Sequence, residues 1–335
     1  MNKKILIGLV MILLLIAAVY FLLMPKTEEE PQKVYRVGML SGLSYAAEAA
    51  DGFKAGMAEL GYIEGQDIIY DLQETDFDMA VYRNTLNKFV EDEVDLIFVF
   101  PTEASQEAKA ATEGTGIPVV FTIANIEGTG LVESVVAPGG NITGVRYPGP
   151  DIALQRFEIM RELAPEAKRY WIPYQRGYPI VASQLDALYP AAEAAGITLI
   201  EAPAGDAAEV QALLDERAES ADIGIDAILS LAEPLYVTPD AFSAMCEFAA
   251  EHEIPNAGAL IEIEGCGSLF GVHIHNFNTG KQVAPLADRI LKGASASTIS
   301  VVSAEPYFQF NYKVAQEMGI DVPEGLLERA DEIIH

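Results

Sequence analysis

Short apolar runs alternate along this chain with segments that carry an apolar stripe at helical spacing, and this alternation restricts the possible folds most strongly. In the first repeat, a strand is predicted at 34–40 and a helix at 45–60. Further strands are predicted at 67–72, 94–100, 118–123, 170–173, 198–200, 227–230 and 268–272. Helices are predicted between them at 79–91, 103–113, 152–163, 180–195, 207–220 and 241–253. Because such helices cover both faces of parallel sheets, the pattern predicts an α/β protein.

The alternation occurs in two series, which are separated by the turn residues Pro148, Gly149 and Pro150. The chain has 335 residues, of which 50% are hydrophobic, so it can bury the cores of two domains. We therefore expect two doubly wound parallel-sheet lobes that face each other across a cleft. In such lobes a ligand binds beyond the carboxyl ends of the strands, so the loops at those ends form the candidate site.

An uninterrupted apolar run from Ile5 to Met24 follows Lys3 and Lys4, and it has the length of a membrane-spanning helix. Positive charge before the run indicates a cytoplasmic N-terminus and an exported remainder. A cleaved signal is the alternative, but the apolar core is long, and no cysteine directly follows it for lipid modification. We predict a single-pass protein of the cell membrane with an extracytoplasmic binding domain, a signal anchor at 1–24 and a tether at 25–33.

The charge balance of the chain is strongly acidic. Its 50 Asp and Glu residues outweigh 21 Lys and Arg residues and give a formal net charge of -29. Such a surface repels phosphates and anionic lipid headgroups that come within a Debye length. We therefore expect a small-molecule ligand and no nucleic-acid partner.

Polar residues suited to ligand binding follow three predicted strands of the first series. A helix start offers free N–H groups and the positive end of its dipole, which suit an anionic group such as a carboxylate. Ordinary N-capping by Ser44 is compatible with the same pattern. The candidate residues are Ser41, Gly42, Ser44 and Tyr45 after the first strand, Thr102, Glu103 and Ser105 after the third, and Thr122 and Asn125 after the fourth.

Several ordered motifs connect the chain to a known family. Residues 117–134 read IPVVFTIANIEGTGLVES and residues 137–145 read APGGNITGV, in which the segment 138–145 is predicted to be rich in turns. The C-terminal part has an apolar strand that ends at Asn311, a helix that stops at Gly319 and a second helix after Pro323. In this order, the motifs resemble the signature of ABC-transporter substrate-binding proteins with the type I periplasmic-binding fold, a family that includes tryptophan- and aromatic amino-acid-binding members. The resemblance covers about residues 34–334.

The resemblance implies the extracytoplasmic solute-binding component of an ABC importer, which captures an amino acid or related compound by hinge closure of its lobes. It also implies a partner permease with a cytoplasmic ATPase, and no cofactor. No enzyme motif is present, so we predict binding without catalysis. The predicted lobes comprise 34–149 plus about 277–335 for lobe 1 and 150–276 for lobe 2.

The chain departs from the family pattern at positions that matter for an amino-acid ligand. Many relatives carry an Asp after the V-F-T segment, where this chain has Asn125, and often another near the position of His275. A carboxylate forms charge-assisted hydrogen bonds with an ammonium, so Glu103 or Glu233 would take this role here. Aromatic rings expected to hold a planar ligand are Tyr45, Tyr147, Tyr174, Tyr178, Tyr236 and Phe277.

His273 and His275 support a rival hypothesis, because residues two apart on a strand share one face. With Glu262, Glu264 or Cys266 they could bind a metal ion, which would favour metal uptake or a metalloenzyme. Two histidines form only half of a closed site, so we expect no metal site.

Two further alternatives stay open. Cys246 and Cys266 form either a disulfide or two free thiols, because their separation in space cannot be read from the sequence. The domain could also serve as the ligand-sensing ectodomain of a signalling complex rather than as part of a transporter.

Overall fold

The first series of apolar runs forms five strands and three helices. The computed structural model describes residues 33–335 of the chain. The strands are β1 (Tyr35–Ser41), β2 (Ile68–Glu74), β3 (Leu96–Phe100), β4 (Val119–Ala124) and β5 (Ile142–Arg146). The helices are α1 (Glu48–Glu59), α2 (Met79–Glu91) and α3 (Thr102–Ala111), with a 3-10 turn at Ser44–Ala46. The predicted helix at 45–60 is therefore divided at its start.

The second series and the C-terminal segment continue the alternation. Their strands are β6 (Arg169–Gln175), β7 (Thr198–Ala204), β8 (Ala227–Leu229), β9 (Asn256–Ala257), β10 (Glu262–Ile263), β11 (Cys266–Gly267), β12 (Phe270–Ile274), β13 (Val302–Ser303), β14 (Pro306–Asn311) and β15 (Glu332–Ile334). Their helices are α4 (Gly149–Leu163), α5 (Val181–Ala195), α6 (Ala207–Ala218), α7 (Pro239–Glu251), α8 (Asn276–Leu291), α9 (Tyr312–Glu317) and α10 (Glu324–Leu327).

Six strands form one parallel sheet in the order β13-β5-β4-β3-β1-β2. Every residue of β3 is buried, as expected for an inner strand covered by helices on both faces. The sequence predicts a turn at 138–145, but β5 forms from residue 142. Its first four residues are buried, and its pairing with β4 outweighs the weak strand propensity of Gly144.

A second parallel sheet has the order β7-β6-β8-β9. A bridge between Gly258 and Gly271 places β12 beside the end of β9. The strand β12 then pairs antiparallel with β14, and β14 pairs parallel with β15. The predicted α/β class with parallel sheets is confirmed.

The C-terminal segment contributes to two sheets. The strand β13 joins the six-stranded sheet, whereas β14 and β15 pair with β12. Residues 35–335 form one compact unit. The division into lobes at 149 and 276 stays a prediction, and the pairing shows that the segment 277–335 does not belong to a single sheet.

Glycines allow α1 and α8 to pack closely against each other. A Cβ atom on Gly52 would lie 1.9 Å from the carbonyl oxygen of Phe277, and one on Gly280 would lie 1.9 Å from that of Ala49. Only glycine permits such an approach of two helix backbones. This contact fixes the start of α8, which directly follows β12.

Cys246 and Cys266 are joined by a disulfide, with their Cα atoms 6.1 Å apart. This bond connects α7 to the hairpin of β10 and β11. Within residues 33–335, no helix combines the length and the apolar character needed to cross a membrane. The predicted anchor at 1–24 and nearly all of the predicted tether lie outside the described residues.

Candidate functional site

A cavity of about 430 Å³ lies at the carboxyl ends of the strands, between loops of the two parallel sheets. Its first wall comes from loops that follow β1 to β5, and its second wall from residues 178–239. The first wall consists of Leu43, Ser44, Tyr45, Asp76, Phe77, Pro101, Thr102, Ile123, Asn125 and Tyr147. The second wall consists of Tyr178, Ile180, Ala232, Glu233, Pro234, Val237, Thr238 and Pro239.

The loop after β1 reaches the cavity through Ser44 and Tyr45, whereas Ser41 is buried at the end of the strand. The Ser44 N–H group donates a hydrogen bond of 3.1 Å to the Asp76 carboxylate. The Ser44 side chain forms no capping hydrogen bond, so the capping prediction is wrong. The predicted N–H site for an anion is also occupied here by a carboxylate of the protein itself.

The start of α3 places three predicted residues in different environments. Thr102 lines the cavity, and its hydroxyl accepts a hydrogen bond of 3.0 Å from the Asn125 N–H group. Ser105 is buried and donates to the carbonyl of Pro101. Glu103 lies outside the lining and accepts a hydrogen bond of 2.7 Å from the Tyr178 hydroxyl.

Several buried oxygen atoms near the carboxyl ends of β1, β3 and β4 have no hydrogen-bond partner within residues 33–335. Asn125 lines the cavity, is 6% exposed, and its Oδ1 atom has no partner. The hydroxyls of Ser41 and Thr122 and one carboxylate oxygen of Glu103 share this condition. Buried polar atoms are normally hydrogen-bonded. The Asn125 oxygen, which lies beside Gly149 at the start of α4, therefore has an unused capacity to accept a hydrogen bond.

Glu233 supplies the acidic group of the second wall. Its carboxylate accepts hydrogen bonds from the N–H groups of Gln175 (3.2 Å) and Leu235 (2.9 Å). Burial raises the pKa of Glu233 to about 7, although these backbone bonds oppose the shift. A cation that enters the cavity would therefore favour the ionised form of Glu233.

Tyr147 connects the cavity to a buried arginine on α4. Arg156 is 1% exposed and donates from Nη2 to the Tyr147 hydroxyl (3.0 Å) and from Nε to the Val272 carbonyl (2.8 Å). Its Nη1 atom is buried and has no partner within the described part of the chain. Although half of Tyr45 is exposed, desolvation of its hydroxyl raises its pKa to about 12, an effect that nearby Tyr147 strengthens and Arg156 weakens. The sequence analysis missed Arg156, because a single arginine in an amphipathic helix gives no signal.

The structure places six of the predicted site residues around this cavity, and the remaining eight lie outside its lining. The six are Ser44, Tyr45, Thr102, Asn125, Tyr147 and Glu233. The eight are Ser41, Gly42, Glu103, Ser105, Thr122, Tyr174, His275 and Phe277.

Three of the residues outside the lining have other partners. The Tyr174 hydroxyl donates to Glu201, and the His275 ring packs edge-on against Tyr307. The Phe277 backbone contacts Gly52. A predicted role of these residues in ligand binding therefore finds no support in the cavity geometry.

The lining also contains residues that the sequence analysis did not select. Asp76 and Phe77 follow β2, and a search of every strand end would have found them. Val237 and Thr238 lie in or directly after a 3-10 turn without a periodic pattern, and Ile180 directly precedes α5. Only the fold reveals that these residues reach the cavity.

The metal hypothesis finds no support in the described part of the chain. Residues 33–335 contain no group of three or more His, Cys, Asp or Glu side chains arranged to hold a metal ion. His273 hydrogen-bonds the Gln309 side chain, and Cys266 is held in the disulfide. Cys266 therefore cannot act as a thiolate ligand.

A model of the family described as ABC transporter substrate binding protein matches residues 38–334. The chain belongs to this family. It is 28% identical over 287 residues to the tyrosine-binding protein of Clostridioides difficile strain R20291. The aligned residues make up 84% of this chain and 79% of that protein.

Solved structures with the same fold include two with high similarity. The crystal structure of an ABC domain in complex with L-Trp from Streptococcus pneumonia has a TM-score of 0.76 and 24% identity, covering 90% of this chain and 100% of that one. A conserved domain protein from Vibrio cholerae has a TM-score of 0.74 and 25% identity, covering 90% and 99%. As a family member, this chain is a substrate-binding protein of ABC transporters with a small-molecule ligand.

Proposed function

We propose that this protein binds an amino acid, with an aromatic side chain preferred, and delivers it to an ABC permease with a cytoplasmic ATPase. Membership in the substrate-binding family supports the transport role. The tyrosine-binding relative supports the class of ligand, and the L-Trp complex of a protein with the same fold agrees with it.

The observation that carries this proposal is the arrangement of aromatic rings around an acidic group. The rings of Tyr45, Phe77 and Tyr147 line the first wall, and Tyr178 lines the second. Glu233 lies among them on the second wall. Aromatic side chains pack well against a planar apolar ligand, and a few placed polar groups fix its orientation. An aromatic amino acid combines the two features that such a cavity selects.

We propose that Glu233 and Asn125 hold the ammonium group of the ligand. A carboxylate and an ammonium form charge-assisted hydrogen bonds, which are about twice as strong as neutral ones. The free Oδ1 atom of Asn125 would accept a further N–H. A nearby cation also favours the ionised form of Glu233 over the neutral form that burial favours.

The two walls, in this proposal, belong to two doubly wound lobes that close over the ligand about a hinge. A ligand that contacts both walls stabilises the closed arrangement by its differential affinity for it. The hydrogen bond between Glu103 and Tyr178 supports this, because it joins α3 of the first sheet to the loop after β6 of the second. The cavity would then be the interlobe cleft.

We also propose that the protein acts outside the cytoplasm, attached to the membrane by its N-terminal segment, and that it binds its ligand without catalysis. The disulfide between Cys246 and Cys266 supports the location, because disulfides persist mainly in oxidising compartments.

Isothermal titration of the purified full chain with L-tyrosine, L-tryptophan, L-leucine and ZnCl₂ tests the ligand class. We expect saturable binding of an aromatic amino acid that a chelator does not change, together with a rise in melting temperature by mass action. The variant Glu233→Gln should weaken this binding, whereas Glu216→Gln on the exposed face of α6 should not. Binding of the metal alone would contradict the proposal.

A further inference from the structure

The helix starts near the cavity are poorly suited to hold a carboxylate. Asp76 already accepts the Ser44 N–H group after β1. Glu103 lies in the first turn of α3, and Asp240 lies in the first turn of α7. A helix dipole favours an anion at its N-terminus, but in each case the protein supplies that anion itself. A ligand carboxylate at these positions would meet a like charge.

Among residues 33–335, no Lys, Arg or His side chain lines the cavity. Arg156, directly behind Tyr147, is therefore the cation to consider. It is 1% exposed and has no ion-pair partner among residues 33–335. A buried charge without a counter-charge is unfavourable, and proteins normally pair such groups. The unpartnered Nη1 atom shows that the hydrogen-bonding capacity of this guanidinium is also incompletely used.

The Tyr147 hydroxyl is the group through which this charge reaches the cavity wall. Its oxygen accepts the Arg156 Nη2–H, so its own proton remains free to be donated. Within the described part of the chain, this proton has no acceptor. A hydroxyl that accepts a bond from a cation becomes a stronger donor, because linked hydrogen bonds polarise one another. It is therefore suited to an anionic acceptor.

We infer that Arg156 is the counter-charge for the carboxylate of the ligand and acts through the Tyr147 hydroxyl. The inference rests on the proposed function, because it assigns the second charged end of the same amino acid. The ligand would lie with its carboxylate at the corner between β5 and α4 and its ammonium at Glu233. Arg156 is then a positioning residue, held by the Val272 carbonyl, that selects amino acids over the corresponding amines.

The test compares ligands that differ by one charged group, using isothermal titration of the full chain. L-tyrosine carries both groups, tyramine lacks the carboxylate, and 3-(4-hydroxyphenyl)propionate lacks the ammonium. We expect Tyr147→Phe to weaken L-tyrosine binding about tenfold, the effect of losing one hydrogen bond to a charged group, and to leave tyramine binding unchanged. The control Tyr189→Phe removes an exposed hydroxyl that bonds Glu201, and it should change neither affinity.

A second variant addresses Arg156 itself. Arg156→Met should reduce the preference for L-tyrosine over tyramine at least tenfold, and Arg156→Lys, which keeps the charge, should retain part of it. Each variant is compared with the unmodified chain by melting temperature. If Arg156→Met does not fold, the Tyr147→Phe comparison still decides the question.

The outcomes separate the two proposals. If Tyr147→Phe weakens L-tyrosine and tyramine equally, or if the unmodified chain prefers tyramine, the carboxylate assignment is wrong while the transport role stands. If the chain binds the propionate but neither L-tyrosine nor L-tryptophan, the anion site is supported and the amino-acid proposal fails. Binding of none of these compounds overturns both.

Discussion

The two walls of the cavity hold their polar groups in different ways. On the first wall, Asn125 is fixed by its backbone N–H bond to Thr102, and its side-chain oxygen is left without a partner. On the second wall, the Glu233 oxygens accept two backbone N–H groups, yet burial still raises its pKa to about 7. The first wall thus offers a neutral acceptor at fixed geometry. The second offers a charge whose presence depends on pH and on the ligand.

The largest expected effect concerns the second wall and the stability of the ligand-free protein. The pKa of Glu233 is about 7 in the folded state and ordinarily 4.5, so between these pH values the folded state holds a proton that the unfolded state releases. The contribution of this group is most favourable below pH 4.5 and is lost as the pH rises to 7. The shift corresponds to about 3 kcal/mol, at 1.36 kcal/mol per pH unit.

Glu233→Gln isolates this effect. The free energy of unfolding of the variant, relative to the unmodified chain, should rise by about 3 kcal/mol from pH 4.5 to pH 7, because Gln cannot ionise. Urea denaturation at several pH values measures it, with Glu216→Gln as control. A constant difference across this range would show that Glu233 ionises in the folded state as readily as in water.

The same variant should weaken ligand binding at pH 8. Replacing the carboxylate by an amide removes the attraction to the ammonium, and we expect about 30-fold weaker binding of L-tyrosine, or about 2 kcal/mol. Binding by the unmodified chain should also weaken as the pH falls below 7, because Glu233 then takes up a proton. Titrations at pH 6 and pH 8 check both statements. An affinity independent of pH would place the ammonium elsewhere.

The difference between the walls also explains which parts of the site were predictable from the sequence. The positions of Ser44, Tyr45, Thr102 and Asn125 follow from strand periodicity, because polar residues directly after buried strands must collect at one edge of the sheet. The spacing of apolar residues likewise predicts most helices and strands within a few residues. By contrast, Val237 lies in a 3-10 turn without a periodic pattern, and Pro239 begins α7 two residues before the predicted helix at 241–253.

Interactions between distant parts of the chain were beyond sequence reasoning. Arg156 lies 116 residues from Val272, to which it donates a hydrogen bond, and no local pattern marks that pairing. The burial that shifts the pKa of Glu233 likewise depends on the packing of both sheets. The prediction of β5 failed because its neighbours in the sheet, and not its own residues, stabilise it as a strand.

A smaller effect is expected from the first wall. Asn125→Leu removes this acceptor at nearly constant volume, and we expect about tenfold weaker binding of L-tyrosine, the effect of one hydrogen bond to a charged group. The stability of the ligand-free protein should stay the same or increase, because a buried oxygen without a partner is removed. Asn256→Leu is a matched control, since Asn256 is also 6% exposed with an unpartnered amide nitrogen but lies outside this cavity. Equal affinities for both variants would exclude Asn125 as a ligand contact.

The smallest effect concerns the hydrogen bond that joins the two sides. The Tyr178 hydroxyl donates to Glu103 at 2.7 Å, and burial together with Glu103 raises the pKa of this tyrosine, so the hydroxyl stays protonated across the physiological range. Tyr178→Phe keeps the ring in the cavity wall and removes only this bond. We expect about threefold faster dissociation of L-tyrosine, because the dissociation rate reflects only the part of this bond's free energy, about 0.5–1 kcal/mol, that is lost before the ligand leaves. Stopped-flow measurements on Tyr178→Phe, Glu103→Gln and the double variant form a cycle that isolates the pair. Additive effects would mean that the two residues act independently, and the walls would then be held together by the ligand alone.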